Sequence, residues 1–296
     1  MGSDSRIVKV ADGRQLCVEV AGDPDGIPVL VHYGTPNSRH LYRPWAADAA
    51  AKGLRLISYD RPGYGGSTAY PGHDVASGAG DVRAIAAALG HDRLGVWGIS
   101  GGGPYALACA ALLPELTVAV AAVASVAPYG VEGLDYFAGM GELNVDDIKW
   151  SLSDPEACRR ALDADWAEAV AVTPEGLAEG IKSVLSPVDA EAMTGDLAQW
   201  LASVNHDGLA PGTQGWWDDS LSEVISWGFD VRDIRVPVKV WHGRQDRMVP
   251  AQHGEWLAAS IPGAEADISD LDGHLTMMGR IGEIHDWLLR HLQARM

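Results

Sequence analysis

Apolar runs alternate with amphipathic stretches along residues 1–128, and the alternation predicts strands and helices in turn. Residues 6–10 and 15–20 flank the turn pair Asp12-Gly13, which predicts an N-terminal hairpin. Residues 28–32 form a continuous apolar run, expected of a strand buried on both faces. A helix is expected near 42–52, a strand over 54–60 and a helix over 74–89, where Val75, Val82, Ile85 and Leu89 share one stripe. A buried strand over 94–97, a helix over 104–113 and a strand over 118–126 follow. From 129 to 230 the alternation stops, and helical patterns dominate near 145–151, 155–172, 174–185 and 187–203. Pro155, Pro174 and Pro187 fall at first-turn positions, where helices accept proline. Strand, helix, strand and helix then resume over 236–241, 250–260, 264–271 and 281–292. The pattern predicts an α/β fold, a mostly parallel central sheet flanked by helices. Residues 1–128 and 231–296 form the core, and 129–230 form an inserted helical cap.

Charge sharpens that division. The chain has 40 acidic and 22 basic residues, a formal net charge of −18. Between 129 and 230 there are 20 acidic and 4 basic residues, while the remainder has 20 and 18. Nearly all the net charge thus falls in the insertion. Such a balance argues against nucleic acid and anionic membranes as partners and favours a small-molecule substrate. The N-terminus has no apolar segment of signal-peptide type, and the longest apolar run, 116–128, is too short to span a bilayer. Cys17, Cys109 and Cys158 are odd in number and far apart, so neither a metal site nor a disulfide framework is expected, and a reducing cytoplasm is the simplest compartment. Cys109 is expected to be a small core residue.

The most informative stretch is Gly98-Ile99-Ser100-Gly101-Gly102. A serine between a buried strand and a helix, with glycines on both sides, suggests a nucleophile elbow. The flanking residues must lack bulk there, and the serine backbone is strained so that Oγ is presented above the helix N-terminus. The bland alternative is a glycine-rich loop in which Ser100 only caps a helix. A serine nucleophile also needs a base, an acid to orient the base, and donors for the oxyanion. Asp246 lies in the loop after the 236–241 strand, and His274 lies in the loop before the last helix. Strand carboxyl ends are where open parallel sheets build their sites. The chain order Ser100, Asp246, His274 suits such a hydrolase. Taken singly, each residue has an ordinary structural explanation; the ordered set argues for catalysis. His242 competes for the Asp246 loop but sits just past its strand, and Asp60 is assigned to organising the turn over 61–66. Backbone N–H groups of Gly101 and Thr35 are the candidate oxyanion donors.

Over almost its whole length the chain resembles an α/β-hydrolase with a helical cap. The resemblance rests on His32-Tyr33-Gly34-Thr35-Pro36, on Asp60-Arg61-Pro62-Gly63-Tyr64-Gly65-Gly66-Ser67 and on Gly98 to Pro104. It extends to Gly243-Arg244-Gln245-Asp246-Arg247-Met248-Val249-Pro250 and Gly273-His274. The family pattern usually has His-Gly before the oxyanion residue, whereas Tyr33 intervenes here. The turn from Asp60 to Ser67 is similar to that of proline iminopeptidases, which usually carry Trp where this chain has Ile99. The resemblance implies a cofactor-independent serine hydrolase, with a small, mostly apolar carboxylic ester as the expected substrate. An aminopeptidase is the alternative, and a triad-retaining small-molecule receptor is a third possibility. Epoxide and haloalkane hydrolysis are disfavoured, because those branches use an aspartate nucleophile in place of Ser100; lyase and carbon–carbon hydrolase chemistry would suit the same triad. Six of the 11 tryptophans lie in the insertion. They would either line an apolar pocket or glue the insertion to the core. Its carboxylates would either form a solvated surface or favour a cationic substrate.

Overall fold

A computed structural model describes residues 4–294. The N-terminal half runs β1 (Asp4–Lys9), β2 (Gln15–Gly22), β3 (Ile27–His32), α1 (Arg43–Ala51), β4 (Leu54–Tyr59), α2 (Ser77–Leu89), β5 (Leu94–Ile99), α3 (Gly103–Leu112) and β6 (Thr117–Val123). Six helices follow: α4 (Glu142–Ser153), α5 (Pro155–Val170), α6 (Pro174–Gly180), α7 (Pro187–Ala192), α8 (Gly195–Leu209) and α9 (Gln214–Val224). The chain then returns to the sheet through β7 (Val238–Gly243), α10 (Ala251–Ser260), β8 (Glu265–Ser269) and α11 (Ile281–Gln293).

The eight strands form one sheet in the order β1-β2-β4-β3-β5-β6-β7-β8. β2 runs antiparallel to both β1 and β4, and the pairs from β4 through to β8 are parallel. β4 and β5 lie on opposite sides of β3, so the connections diverge at that point and open a crevice at the strand carboxyl ends. The register pairs His32 with Gly98 there, which sets the loop after β3 beside Ser100.

Period-two alternation sorts the apolar side chains into two layers. Leu30, Val96, Val120 and Ala122 face α2, α3 and α10, packing with Val82, Ile85, Leu107 and Leu257. Val29, Val31, Trp97 and Ala121 face α1 and α11, packing with Trp45, Ala49, Trp287 and Leu288. Cys109 is fully buried in the first layer.

Several element ends depart from expectation for local reasons. The helix expected over 187–203 divides in two, because Thr194 is extended and Gly195 has φ +56°. The one expected over 174–185 stops at Gly180 and continues as a 3₁₀ turn, Lys182–Val184. α2 begins only at Ser77, whose amide and hydroxyl both bond to Asp74. β6 ends at Val123, and Ala124 turns away with φ +44°. β7 extends to Gly243, so His242 lies inside the strand rather than just past it. α9 was not foreseen by apolar periodicity, because its buried face is polar: Asp218, Asp219 and Ser222.

Candidate active site

Ser100 sits at the carboxyl end of β5 with φ +56°, in a 3₁₀ turn that leads directly into α3. A non-glycine residue held there costs on the order of 1–3 kcal/mol and persists only where its surroundings demand it. Here the crowding is visible: a Cβ on Gly98 would run into the Gly102 carbonyl, and one on Gly102 would run into the His32 carbonyl. The two glycines let strand, turn and helix close so tightly that Ser100 is turned outward. Gly34 lies against it, since a Cβ at Gly34 would be 3.2 Å from Ser100 Cβ.

Asp246 and His274 meet. His274 Nδ1 is 2.7 Å from Asp246 Oδ2, and both residues are buried. The other carboxylate oxygen of Asp246 accepts the amides of Met248 and Val249, each at 2.8 Å. Burial alone would push this carboxyl up, but the facing imidazoles of His274 and His242 overcome it and hold it down at about 2. His274 is the reciprocal case: burial opposes its charge, while Asp246 favours it and raises its pKa above the ordinary value. His242 serves the same loop from the strand. Its Nε2 lies 2.7 Å from the Val249 carbonyl and 3.4 Å from Asp246 Oδ2. Ser100 and His274 line one cavity, but the hydrogen bonds of His274 run to Asp246 and Asp189, and none joins it to Ser100 among the described residues.

The loop after β3 is held from behind by Arg61. Its guanidinium donates to the carbonyls of Tyr33 and Gly34, the latter at 3.3 Å, and to Thr35 Oγ1 at 3.1 Å. It also forks onto Asp219 of α9, at 2.9 Å from Nε and 2.6 Å from Nη2. The remaining Asp219 oxygen accepts from Tyr105 at 2.7 Å and lies 3.2 Å from His73 Nε2. Burial would favour the neutral acid, but Arg61 and His73 keep the Asp219 carboxyl well below the usual carboxylate range. Asp60 keeps to its expected task in this turn, accepting the amides of Arg39 and Gly66.

A second buried carboxylate, Asp189 of α7, grips the other side of the site. It accepts the amides of His274 (2.9 Å), Leu275 (2.7 Å) and Thr276 (3.1 Å). It also takes the Ser186 hydroxyl at 2.7 Å. Sequence reasoning missed both Asp189 and Asp219. Ser186-Pro187-Val188-Asp189 carries the spacing of a capping box, a usable signal for the helix start. Nothing in it announces that the same carboxylate reaches a loop 85 residues away.

The cavity that contains Ser100 and His274 has a volume of about 160 Å³. Its apolar wall is formed by Leu177, Ile181, Trp200 and Leu201 of the insertion region, with Met248 and Met278 of the core. Of the insertion tryptophans only Trp200 lines it; its ring packs on Tyr33, Tyr42 and Trp45. Trp227 is buried in the core layer, and Trp150 and Trp166 remain 41% and 36% exposed. Two wider, more open grooves contain neither Ser100 nor His274. Among the described residues no group of His, Cys, Asp and Glu is arranged to hold a metal ion, and no helix is long and apolar enough to cross a membrane.

Comparison with known proteins agrees with this architecture. The family description "alpha/beta hydrolase fold" matches residues 27–279. The chain is 28% identical to a non-heme chloroperoxidase of Streptomyces lividans, over 82% of this chain and 83% of that protein. It is 25% identical to a bifunctional esterase/perhydrolase of Acinetobacter calcoaceticus, over the same shares of each. The solved esterase of Exiguobacterium antarcticum superposes with a TM-score of 0.71 at 18% identity, covering 98% of this chain and 100% of that one. With sheet order, elbow and family match in agreement, the chain belongs to the α/β-hydrolase fold family, a family of hydrolases.

Proposed function

We propose that this protein is a cofactor-independent serine hydrolase that acts through an acyl-enzyme on small, mostly apolar carboxylic esters. One observation carries the reading. Ser100, on its left-handed turn, shares a cavity with His274, whose far ring nitrogen is held at 2.7 Å by a buried carboxylate. In this reading Ser100 attacks the ester carbonyl and His274 takes its proton, then returns it to the leaving alcohol. Asp246 fixes the imidazole and stabilises its charged form. The amides of Gly101 and Thr35 receive the developing oxyanion, with the α3 N-terminus behind Gly101. The Ser100–His274 hydrogen bond closes when substrate binds, as catalytic bonds commonly tighten on leaving the free state. Residues 1–128 and 231–296 serve as the hydrolase core, and 129–230 as the cap that roofs the cavity. A cavity of about 160 Å³ is comparable to one that holds a single benzene ring, which favours short acyl groups and small alcohols. The names carried by the esterase and esterase/perhydrolase relatives support carbonyl chemistry of this kind.

The acidity of the insertion favours a second reading, removal of an amino-terminal residue from a cationic peptide. The two separate on substrate. Hydrolysis of p-nitrophenyl acetate without turnover of prolyl-naphthylamide supports the ester reading, and the reverse overturns it. The decisive test of the nucleophile is labelling by a fluorophosphonate. The wild-type chain is expected to label and Ser100→Ala is not. A wild type that stays unlabelled, or a Ser100→Ala variant that labels equally, removes Ser100 from its role.

A further inference from the structure

Glu223 lies on α9 one helical turn beyond Asp219, on the side of the helix that meets the candidate site. A Cβ built on Gly101 would lie 2.6 Å from Thr35 Oγ1 and closer still to Glu223 Oε1. The Glu223 carboxyl therefore fills the space that a side chain after the nucleophile would occupy. It lies beside Gly101 and the Thr35 hydroxyl, next to the residues proposed to supply the oxyanion amides. Glycine at 101 is what permits that approach. Among the described residues the carboxyl makes no ion pair and no hydrogen bond; the Trp227 indole bonds instead to the Glu223 main-chain oxygen at 3.2 Å.

The groups around it set its charge. Asp219 faces it from its own helix, Arg61 from the turn after β4, and Tyr136 from the segment after β6. His73 and Tyr105 reach Asp219 rather than Glu223. Burial opposes ionisation first and the Asp219 charge adds to it, while Arg61, already committed to Asp219, offsets only part. The Glu223 carboxyl is pushed up to about 8.

We propose that Glu223 is a further catalytic residue. As the neutral acid, its carboxyl adds a third donor beside the Gly101 and Thr35 amides. As the carboxylate, it opposes the negative charge that forms there. The proposal rests on the serine-hydrolase reading above. No proton is transferred: as Ser100 attacks, the carbonyl π pair moves onto oxygen and the Glu223 O–H bond to it strengthens. When the carbonyl re-forms, that bond relaxes.

A Ser-His-Asp centre loses rate on the acid side, where its base is protonated. Glu223 adds a loss on the alkaline side. The tyrosines nearby do not supply one, because burial pushes Tyr64, Tyr105 and Tyr136 above their ordinary range. The test is background-corrected kcat for p-nitrophenyl acetate from about pH 5.5 to 10, on the full chain and on its Glu223→Gln and His73→Gln variants. A group titrating at about 8 leaves about a tenth of the plateau rate at about pH 9 in the wild type. Glu223→Gln is expected to keep the acid limb and abolish the alkaline fall, and His73→Gln to keep both. An alkaline fall unchanged in Glu223→Gln, or one abolished by His73→Gln instead, overturns the proposal. Should glutamine at 223 prevent folding, the rate of fluorophosphonate labelling of the wild type reads the same limb, and a labelling rate flat across the alkaline range overturns it. A wild type that never labels sinks the serine-hydrolase reading itself. A labelled wild type with an unchanged Glu223→Gln profile sinks only the role of Glu223.

Discussion

The sheet region and the helical insertion bury very different things. Both faces of the sheet are closed by continuous apolar layers, with Trp45, Trp97, Trp241 and Trp287 fully enclosed. In the insertion, α5 has no buried residue over its whole length, and Trp150 and Trp166 stay partly in solvent. Besides apolar residues such as Val204, Leu209 and Trp227, the insertion buries carboxyl side chains. Asp189 and Asp219 are both fully enclosed, and both are bonded to core loops that flank Ser100. Apolar packing is tolerant of small shifts, whereas a buried carboxylate with several fixed donors is not. The contrast therefore teaches how a helical region with little apolar core is held in one register. Two buried carboxyl anchors fix it, a hydrogen-bonded one behind the His274 loop and an ion pair with Arg61 behind the loop of Thr35.

The largest effect that would break this comparison is expected at Asp219. Asp219→Ala leaves the Arg61 guanidinium buried without its partner and is expected to cost about 3–5 kcal/mol, read as a lowered denaturant midpoint. A loss no greater than that of a surface pair would refute the anchor. Asp189→Ala comes next. It strands three amides of the His274 loop, at about 1–3 kcal/mol for each one that water cannot reach. Because it acts through His274, kcat for p-nitrophenyl acetate should fall while KM changes little; an unchanged kcat would reduce Asp189 to a helix cap. Asp246→Asn calibrates that loss within the core: it should lower kcat by about 10³–10⁴-fold if the reading of His274 is right.

The pH response sharpens the comparison further. Burial opposes charge on His73, but its bond to Asp219 wins and raises its pKa. A raised histidine stabilises the fold below its unfolded value, and that contribution is lost as pH rises through the folded one. Glu223, also raised, acts in the same direction between its ordinary value and about 8. Below about pH 6.5 the buried His32 and His253, whose pKa values are lowered, act the other way; from about pH 7 to 9 the unfolding midpoint should therefore fall, with a smaller slope in Glu223→Gln. Equal slopes in the two proteins would contradict this. At the small end, Lys182→Ala removes an exposed pair with Glu179, 3.2 Å apart, and is expected to cost about 0.5 kcal/mol or less.

The elbow and the His274 loop also show how much was legible beforehand. Gly98, Ser100 and Gly102 constrain one another within five residues, so their geometry could be read from the order of the letters. Asp246 and His274 were found because each follows a strand, and strand ends in a parallel sheet gather on one edge. The acidic side chains of α7 and α9 gave no such sign. Twenty carboxylates between 129 and 230 look alike in sequence, and helical periodicity marks a buried face only when that face is apolar.

By itself, then, the order of residues determined the strand–helix alternation, the run of helices between β6 and β7 and the tight turn at Ser100. Each follows from hydrophobic period or from local backbone sterics, which act over a few residues. Only the tertiary structure decided which of the insertion's many acids reach the loops around Ser100 and His274 and which way their ionisation is shifted. Arg61 and His73 hold Asp219 ionised against its burial, while burial beside that charge pushes the Glu223 carboxyl up. Those are properties of distance through space, and Asp219 lies 158 positions along the chain from the arginine that sets its charge.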